Sequence, residues 1–284
     1  MRAPTTYSPE LGRLQLLYDP RTKGKPMKLA CLMSGSGTNV RKIVERERSF
    51  RGSPYKVGLI FSDNSDDNAR AIGGEYDIPV VSRDIKSFYE HRGQKKNWFI
   101  KRPELDAGTR EEFDSYIADQ FRLHGIGFFA LGGYMSALSN VVLKEFTGLN
   151  VHPADLSLEE NGRRKYTGDK AVRDAILAGE KTLRSSVHVV RDRVDYGEVI
   201  MISDPLAVKL PRPLEELRMD EKLLDDVVSV HQTKLKEKGD WVIFPRALEE
   251  VAEGMIAVDG KGAAYRRLEE SALGTRWIST TAQS

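Results

Sequence analysis

Asn150-Val151-His152-Pro153 closes an apolar run, and two of its residues could act together on a carbonyl group. In an extended strand alternate residues share a face, so the Asn150 amide and the His152 imidazole point to the same side. An amide donor can hold negative charge developing on a carbonyl oxygen, and an imidazole can take or give a proton. The plainer reading, a histidine that caps a strand end, stays open from these residues alone. Asp195 lies in the turn Asp192-Arg193-Val194-Asp195-Tyr196-Gly197. Taken alone it is a turn former, and it matters for chemistry only if folding brings it to the histidine. A third segment, Ser34-Gly35-Ser36-Gly37-Thr38-Asn39, is small and polar. Backbone N–H groups of such a loop can approach an anion, and a helix starting there adds its positive end. It has neither the lysine of a P-loop nor the spacing of a dinucleotide fingerprint. A phosphate monoester therefore suits it better than ATP or NAD. A tight strand-to-helix turn with Thr38 or Asn39 near a cap is the alternative.

The surrounding pattern says what must position these residues. Lys28 to Met33 reads as a buried strand, the polar loop follows, and Val40, Ile43 and Val44 mark one face of a helix. Further strands are expected at Lys56–Phe61, Pro79–Ser82, Gly127–Leu131 and Gly148–Val151, with helices over Asp67–Tyr76, Arg110–Leu123 and Leu138–Phe146. Alternating strands and helices imply right-handed crossovers and a mostly parallel sheet. Such sheets bind ligands at the carboxyl ends of their strands, where residues 34–39, 132–135 and 150–153 would meet. Downstream we expect a charged loop over Asp155–Thr167, a helix over Gly168–Ala178, and strands at Thr182–Val190 and Glu198–Ile202. A long polar helix over Pro213–Lys238, a second over Trp241–Ala252 and a terminal hairpin near Ile256–Arg266 complete the reading.

The chain has 284 residues, 40% hydrophobic and 30% charged, the range of a globular protein. No run approaches the roughly 18 apolar residues of a membrane span, and the Leu14–Leu17 cluster is too short for a signal-peptide core. We expect a cytoplasmic protein without membrane partners. The net charge is +2, too balanced to imply nucleic acid. A single cysteine, Cys31, excludes an internal disulfide and argues against a cysteine-based zinc site. Residues 83–110 interleave Lys86, Arg92, Lys95, Lys96, Lys101 and Arg102 with Phe88, Tyr89, Trp98 and Phe99. That mixture can bind a polyanion, but a solvated loop with aromatics packed back explains it more simply.

Taken together and in order, SGSGTN (34–39), LGGYM (131–135), NVHPADL (150–156) and SSVHVVRDRVDYGEVI (185–200) resemble the folate-dependent formyltransferases. Within that superfamily the first loop is similar to that of the phosphoribosylglycinamide enzymes. The methionyl-tRNA formyltransferases and the formyltetrahydrofolate deformylases carry other sequences there. The resemblance implies an α/β, Rossmann-like, mostly parallel sheet flanked by helices, with N- and C-terminal extensions: residues 1–27 ahead of a domain at 28–258, interrupted near 83–110, and a hairpin or tail at 259–284. It implies 10-formyltetrahydrofolate as co-substrate, no metal, small-molecule partners, and formyl transfer to the amine of 5′-phosphoribosylglycinamide. Homodimerisation is left open.

The resemblance also implies roles. Asn150 would hold the formyl oxygen, His152 would donate to it or relay a proton, and Asp195 would orient His152, or a water, and help remove the amine proton. Ser36, Gly37, Thr38 and Asn39 would seat the acceptor's phosphate. Gly133 would face the acceptor, while Met135, Leu138, Arg191 and Asp192 would line the folate pocket. His188 matches a histidine near the site, with a structural role equally open. Some positions depart from the family pattern. Arg184 stands where the family has glycine and Ser136 where it has arginine. The loop after His152 is longer and contains Arg163, Arg164 and Lys165. The run GDWVIFP puts Asp240 in place of an acceptor-binding glutamate. Another phosphorylated amine as acceptor, hydrolysis of the formyl donor, and a non-catalytic binding protein are the competing readings.

Overall fold

The computed structural model describes residues 5–8, 12–49, 51–65, 67–93, 107–271 and 274–281. Seven strands form the central sheet, in the order Val199–Ile202, Ser186–Val189, Gly148–His152, Phe128–Leu131, Met27–Met33, Tyr55–Ser62 and Val80–Ser82. The last five of these run parallel, and the two at the other edge are antiparallel. The strand Met27–Met33 is apolar almost throughout because both of its faces are covered. Leu29, Cys31 and Met33 enter one core with the helices Thr38–Arg48 and Trp241–Ala252. Ala30 and Leu32 enter the other, with Phe113, Ile117 and Phe121 of the helix Ala107–Leu123.

The chain builds outward from Met27–Met33 to Val80–Ser82, then crosses to Phe128–Leu131 on the other side of its starting strand. The reversal makes a crevice at the carboxyl ends of Met27–Met33 and Phe128–Leu131, where open α/β sheets bind ligands. Loops 34–39 and 132–135 leave from those two ends, and Asn150 and His152 lie at the end of the next strand.

Several expectations need correction. The helix foreseen over Pro213–Lys238 is divided: Leu214–Met219 ends at Asp220, which breaks helical geometry at φ −120°, ψ 87° and caps Glu221–Leu235 by accepting from the Leu223 amide at 3.0 Å. The break expected at Gly239-Asp240 is absent. A single π-helical turn, Lys236–Asp240, carries the chain into Trp241–Ala252. The run 182–190 also divides: Thr182–Leu183 pairs with Leu206–Ala207, and only Ser186–Val189 joins the central sheet. The helix foreseen over Leu138–Phe146 contracts to one turn, Asn140–Leu143, and the one over Gly168–Ala178 to Ala171–Leu177. The loop after His152 contains a short ladder pairing Glu159–Glu160 with Arg163–Arg164. Of the basic-aromatic segment, Phe88 and Tyr89 are buried in the helix Ile85–Glu90. Lys95, Lys96, Trp98, Phe99, Lys101 and Arg102 lie outside the described residues.

The terminal segments fold together. Thr5–Ser8, Gly12–Leu16, Ile256–Val258, Ala264–Ser271 and Gly274–Ser279 form a second, antiparallel sheet. Leu14 and Leu16, too few for a leader's core, are buried there against Ala257 and Trp277. Among the described residues no helix is long and apolar enough to cross a membrane.

Candidate functional site

A cavity of about 630 Å³ opens at the crevice. Its wall takes residues 34–39 from the first loop, 131–138 from the second and 150–153 from the third, together with Arg191, Asp192, Val194 and Asp195. Each candidate residue singled out in the sequence therefore borders one space. Gln232, Lys236 and Asp240, from the far end of the chain, border it too.

Antiparallel pairing assembles one end of the cavity. Ser186 lies opposite His152 and His188 opposite Asn150, and directly opposed residues share a face of the sheet. The Asn150 amide nitrogen is 3.2 Å from His188 Nε2. His188 Nδ1 is 2.9 Å from the Val189 carbonyl. A carbonyl only accepts, so Nδ1 holds a hydrogen, and an Nε2 without one accepts from Asn150. One amide hydrogen of Asn150 is left over. His152 follows the same logic. Its Nε2 is 3.1 Å from the Tyr166 carbonyl and so carries the hydrogen. Nδ1 then keeps the lone pair, 3.6 Å from Asp195 Oδ2. The atom of His152 able to gain a proton is thus the one beside a carboxylate.

Asp195 is 4% exposed and adopts a left-handed backbone at φ 60°. Its Oδ2 accepts from the Gly168 amide at 2.8 Å, and its Oδ1 is 3.6 Å from His188 Nε2. Burial would raise its pKa, but His188 and His152, as imidazolium ions, and the Gly168 N–H pull it down to about 2. Burial shifts His152 the other way for a base: it holds the imidazolium pKa below its ordinary value, against the pull of Asp195 and with the help of His188 and Arg164. At neutral pH the pair is a carboxylate beside an uncharged imidazole.

At the other end of the cavity, Gly37 precedes the helix Thr38–Arg48 with φ 66°. A side chain there would run into Ile72 and Met33, at 2.5 and 2.8 Å from a Cβ. The conformation favours glycine, and a side chain would also have to push aside the ends of the Ile72 and Met33 side chains. The N-cap is Gly37, with no side-chain cap, and Thr38 and Asn39 open the helix beside it. Asn39 is buried, and its Oδ1 has no partner among the described residues. Asp240 accepts from Ser185 Oγ at 2.5 Å. The π turn and Gly239 make this approach possible, since a Cβ at 239 would stand 2.6 Å from Ser185 Oγ. Burial pushes the Asp240 pKa up to about 6, with Ser185, Lys236 and Asn39 opposing it.

The two loops at the crevice are tied to each other. Ser34 Oγ accepts from the Met135 amide at 2.9 Å, and the Gly133 carbonyl accepts from the Ser34 amide at 3.1 Å. Gly133 itself has φ 91°. Ser136 donates to the buried Asp63 at 2.6 Å. Arg184 donates to the Ser203 carbonyl at 2.9 Å. Arg191 borders the cavity, but its guanidinium is held by Glu198 through two contacts of 2.9 Å. Leu138 is buried and Met135 is 52% exposed at the mouth.

Gln232, Lys236 and Arg164 went unremarked or unassigned in the sequence. Nothing local marks the first two: they lie in a polar helix and its π turn, where charge usually means a solvated face.

A family model described as "Formyl transferase" matches residues 27–217, about two thirds of the chain. The phosphoribosylglycinamide formyltransferase of Haemophilus influenzae is 27% identical over 176 residues, 61% of this chain and 70% of that protein. The trifunctional purine biosynthetic protein adenosine-3 of Chironomus tentans is 24% identical over 238 residues, 82% of this chain but 14% of that protein's length. Among solved structures, the glycinamide ribonucleotide transformylase 1 of Symbiobacterium toebii superposes with a TM-score of 0.58 at 24% identity, covering 83% of this chain and 92% of that one. The phosphoribosylglycinamide formyltransferase of Coxiella burnetii, solved with CHES, gives 0.58 at 20% identity, covering 85% and 94%.

Proposed function

The chain belongs to the formyl transferase family, and we propose that it transfers a formyl group from 10-formyltetrahydrofolate to the primary amine of 5′-phosphoribosylglycinamide. The observation that carries this reading is one cavity with two unlike ends: the backbone-rich loop 34–39 at one, and Asn150, His152 and Asp195 at the other. A phosphate at the first end fits the loop's N–H groups and the helix that starts at Thr38. Residues 34–39 contain no lysine or arginine, and Lys236, which borders the same cavity, would supply a cation for the phosphate. Apolar wall from Leu131, Leu138, Val190 and Val194 suits the flat ring of the folate.

The chemistry follows from the donors and acceptors. The amine attacks the formyl carbon, a C–N bond forms, and the formyl oxygen becomes an oxyanion. The remaining Asn150 amide hydrogen is positioned for that oxygen. The amine proton goes to His152 Nδ1, and the imidazolium it creates is stabilised by Asp195. That proton passes to N10 as the old C–N bond breaks, which leaves tetrahydrofolate and the formylated amine. Residues 28–258 carry this work, with the flanking segments as accessories, in a cytoplasmic setting with small-molecule partners.

The test is a formyl-transfer assay with 10-formyltetrahydrofolate, with and without phosphoribosylglycinamide. Turnover that needs the glycinamide, and that falls on the order of 10²-fold in Asn150→Ala, is the expected result. Formate release that ignores the glycinamide would make the chain a hydrolase, and binding without turnover would make it a non-catalytic folate protein.

A further inference from the structure

We propose that Arg164 is a positioning residue for the reaction, holding the turn that carries Asp195 in place beside His152. The inference rests on the formyl-transfer reading above. Arg164 belongs to the short ladder in the loop after His152, where it lies opposite Glu159. Its guanidinium reaches the turn at 192–197. Nη1 donates to the Asp195 carbonyl, and Nη2 donates to the Gly197 carbonyl at 2.8 Å. Two carbonyls two residues apart are thus fixed by one planar fork, a geometry lysine cannot reproduce.

The turn needs such a clamp. Asp195 is a non-glycine residue in the left-handed region, a conformation that persists only where its surroundings over-determine it. The same stretch of loop makes two further contacts to the site. The Tyr166 carbonyl accepts from His152 Nε2, and the Gly168 amide donates to Asp195 Oδ2. Residues 164–168 therefore set His152 and Asp195 relative to each other, and Arg164 does so through backbone rather than by touching a reacting group. The clamp also explains why a charged side chain half-buried in this loop has no carboxylate partner of its own among the hydrogen bonds of the described residues.

Two variants separate geometry from charge. Arg164→Lys keeps the cation and loses the fork; Arg164→Met loses both. Both are expected to lower kcat about 10- to 100-fold with KM for either substrate within about threefold, because substrate contacts are untouched. Arg163→Ala, its exposed neighbour, serves as the control and should match the parent. A second readout does not need activity: the pH titration of the His152 ring, followed by NMR. Asp195, His188 and Arg164 are the charged or titratable groups facing that ring. In Arg164→Lys, where charge is kept, displacement of Asp195 should move the His152 midpoint down. An unmoved midpoint overturns the proposal, as does a kcat within threefold of the parent in both variants. If the parent fails to transfer formyl groups, the function is wrong, while the NMR arm still decides whether Arg164 places Asp195.

Discussion

Asp195 and Asp240 border the same cavity and are equally hidden from water, at 4% and 3% exposure, yet they are pushed in opposite directions. Asp195 receives a backbone N–H and lies between two imidazoles, and its pKa falls to about 2. Asp240 receives a serine hydroxyl, and burial lifts it to about 6. Burial alone does not set the charge of a buried carboxylate; the donors that face it do. The consequence is a division of labour. At neutral pH one end of the cavity offers a firmly ionised group suited to stabilising an imidazolium. The other offers a carboxylate close enough to its titration range to answer to ligand and pH.

The sharpest way to break this comparison is to neutralise each carboxylate in turn. Asp195→Asn is expected to lower kcat on the order of 10³-fold, since in the proposed mechanism it removes the charge that balances His152 during proton transfer. Asp240→Asn should leave kcat within a few-fold and act on the KM of the acceptor. Steady-state kinetics with both substrates checks this, and equal losses in kcat would erase the distinction.

Stability should separate them by sign. Asp195 has a depressed pKa, so its contribution is present above about 4 and is lost as pH falls through about 2. The size is about 2 kcal/mol. Asp240 has a raised pKa, so its contribution is complete below about 4 and is lost as pH rises through about 6. The size is about 2–3 kcal/mol. Denaturant unfolding across pH 4 to 8 should show a decline in the parent that flattens in Asp240→Asn and persists in Asp195→Asn.

The smallest effect concerns acceptor binding. If ionised Asp240 accepts hydrogen bonds from the acceptor, the acceptor's KM should drop about tenfold as pH rises through about 6. In Asp240→Asn that dependence should vanish. A KM that tracks pH identically in both proteins would remove Asp240 from the acceptor end.

Much of this architecture was legible before folding. The apolar run 28–33, the loop 34–39 and the helical spacing after it read directly as strand, turn and helix, because both faces of a central strand are covered and leave an uninterrupted apolar signature. Asn150 and His152 shared a face by strand geometry alone. The motifs, in their order, carried the family resemblance, which the family match to residues 27–217 bears out. The helical C-terminal region was less legible. Gly239 looked like a helix end, but there it serves close packing on Ser185, and the true break at Asp220 depends on a cap that only one hydrogen bond reveals.

The sequence by itself thus determined the alternation of elements, the polar turn at the first strand's end and the side of the sheet on which Asn150 and His152 stand. Those are local properties, set by hydrophobic period, glycine conformation and strand pleat. Only the tertiary structure decided that Asp195 reaches His152, that Asp240 and Lys236 return from the far end of the chain to the same cavity, and that Arg164 clamps the Asp195 turn. Such contacts join residues tens to hundreds of positions apart. Their geometry, and with it each carboxylate's charge, exists only once the burial and the donors around them are fixed together.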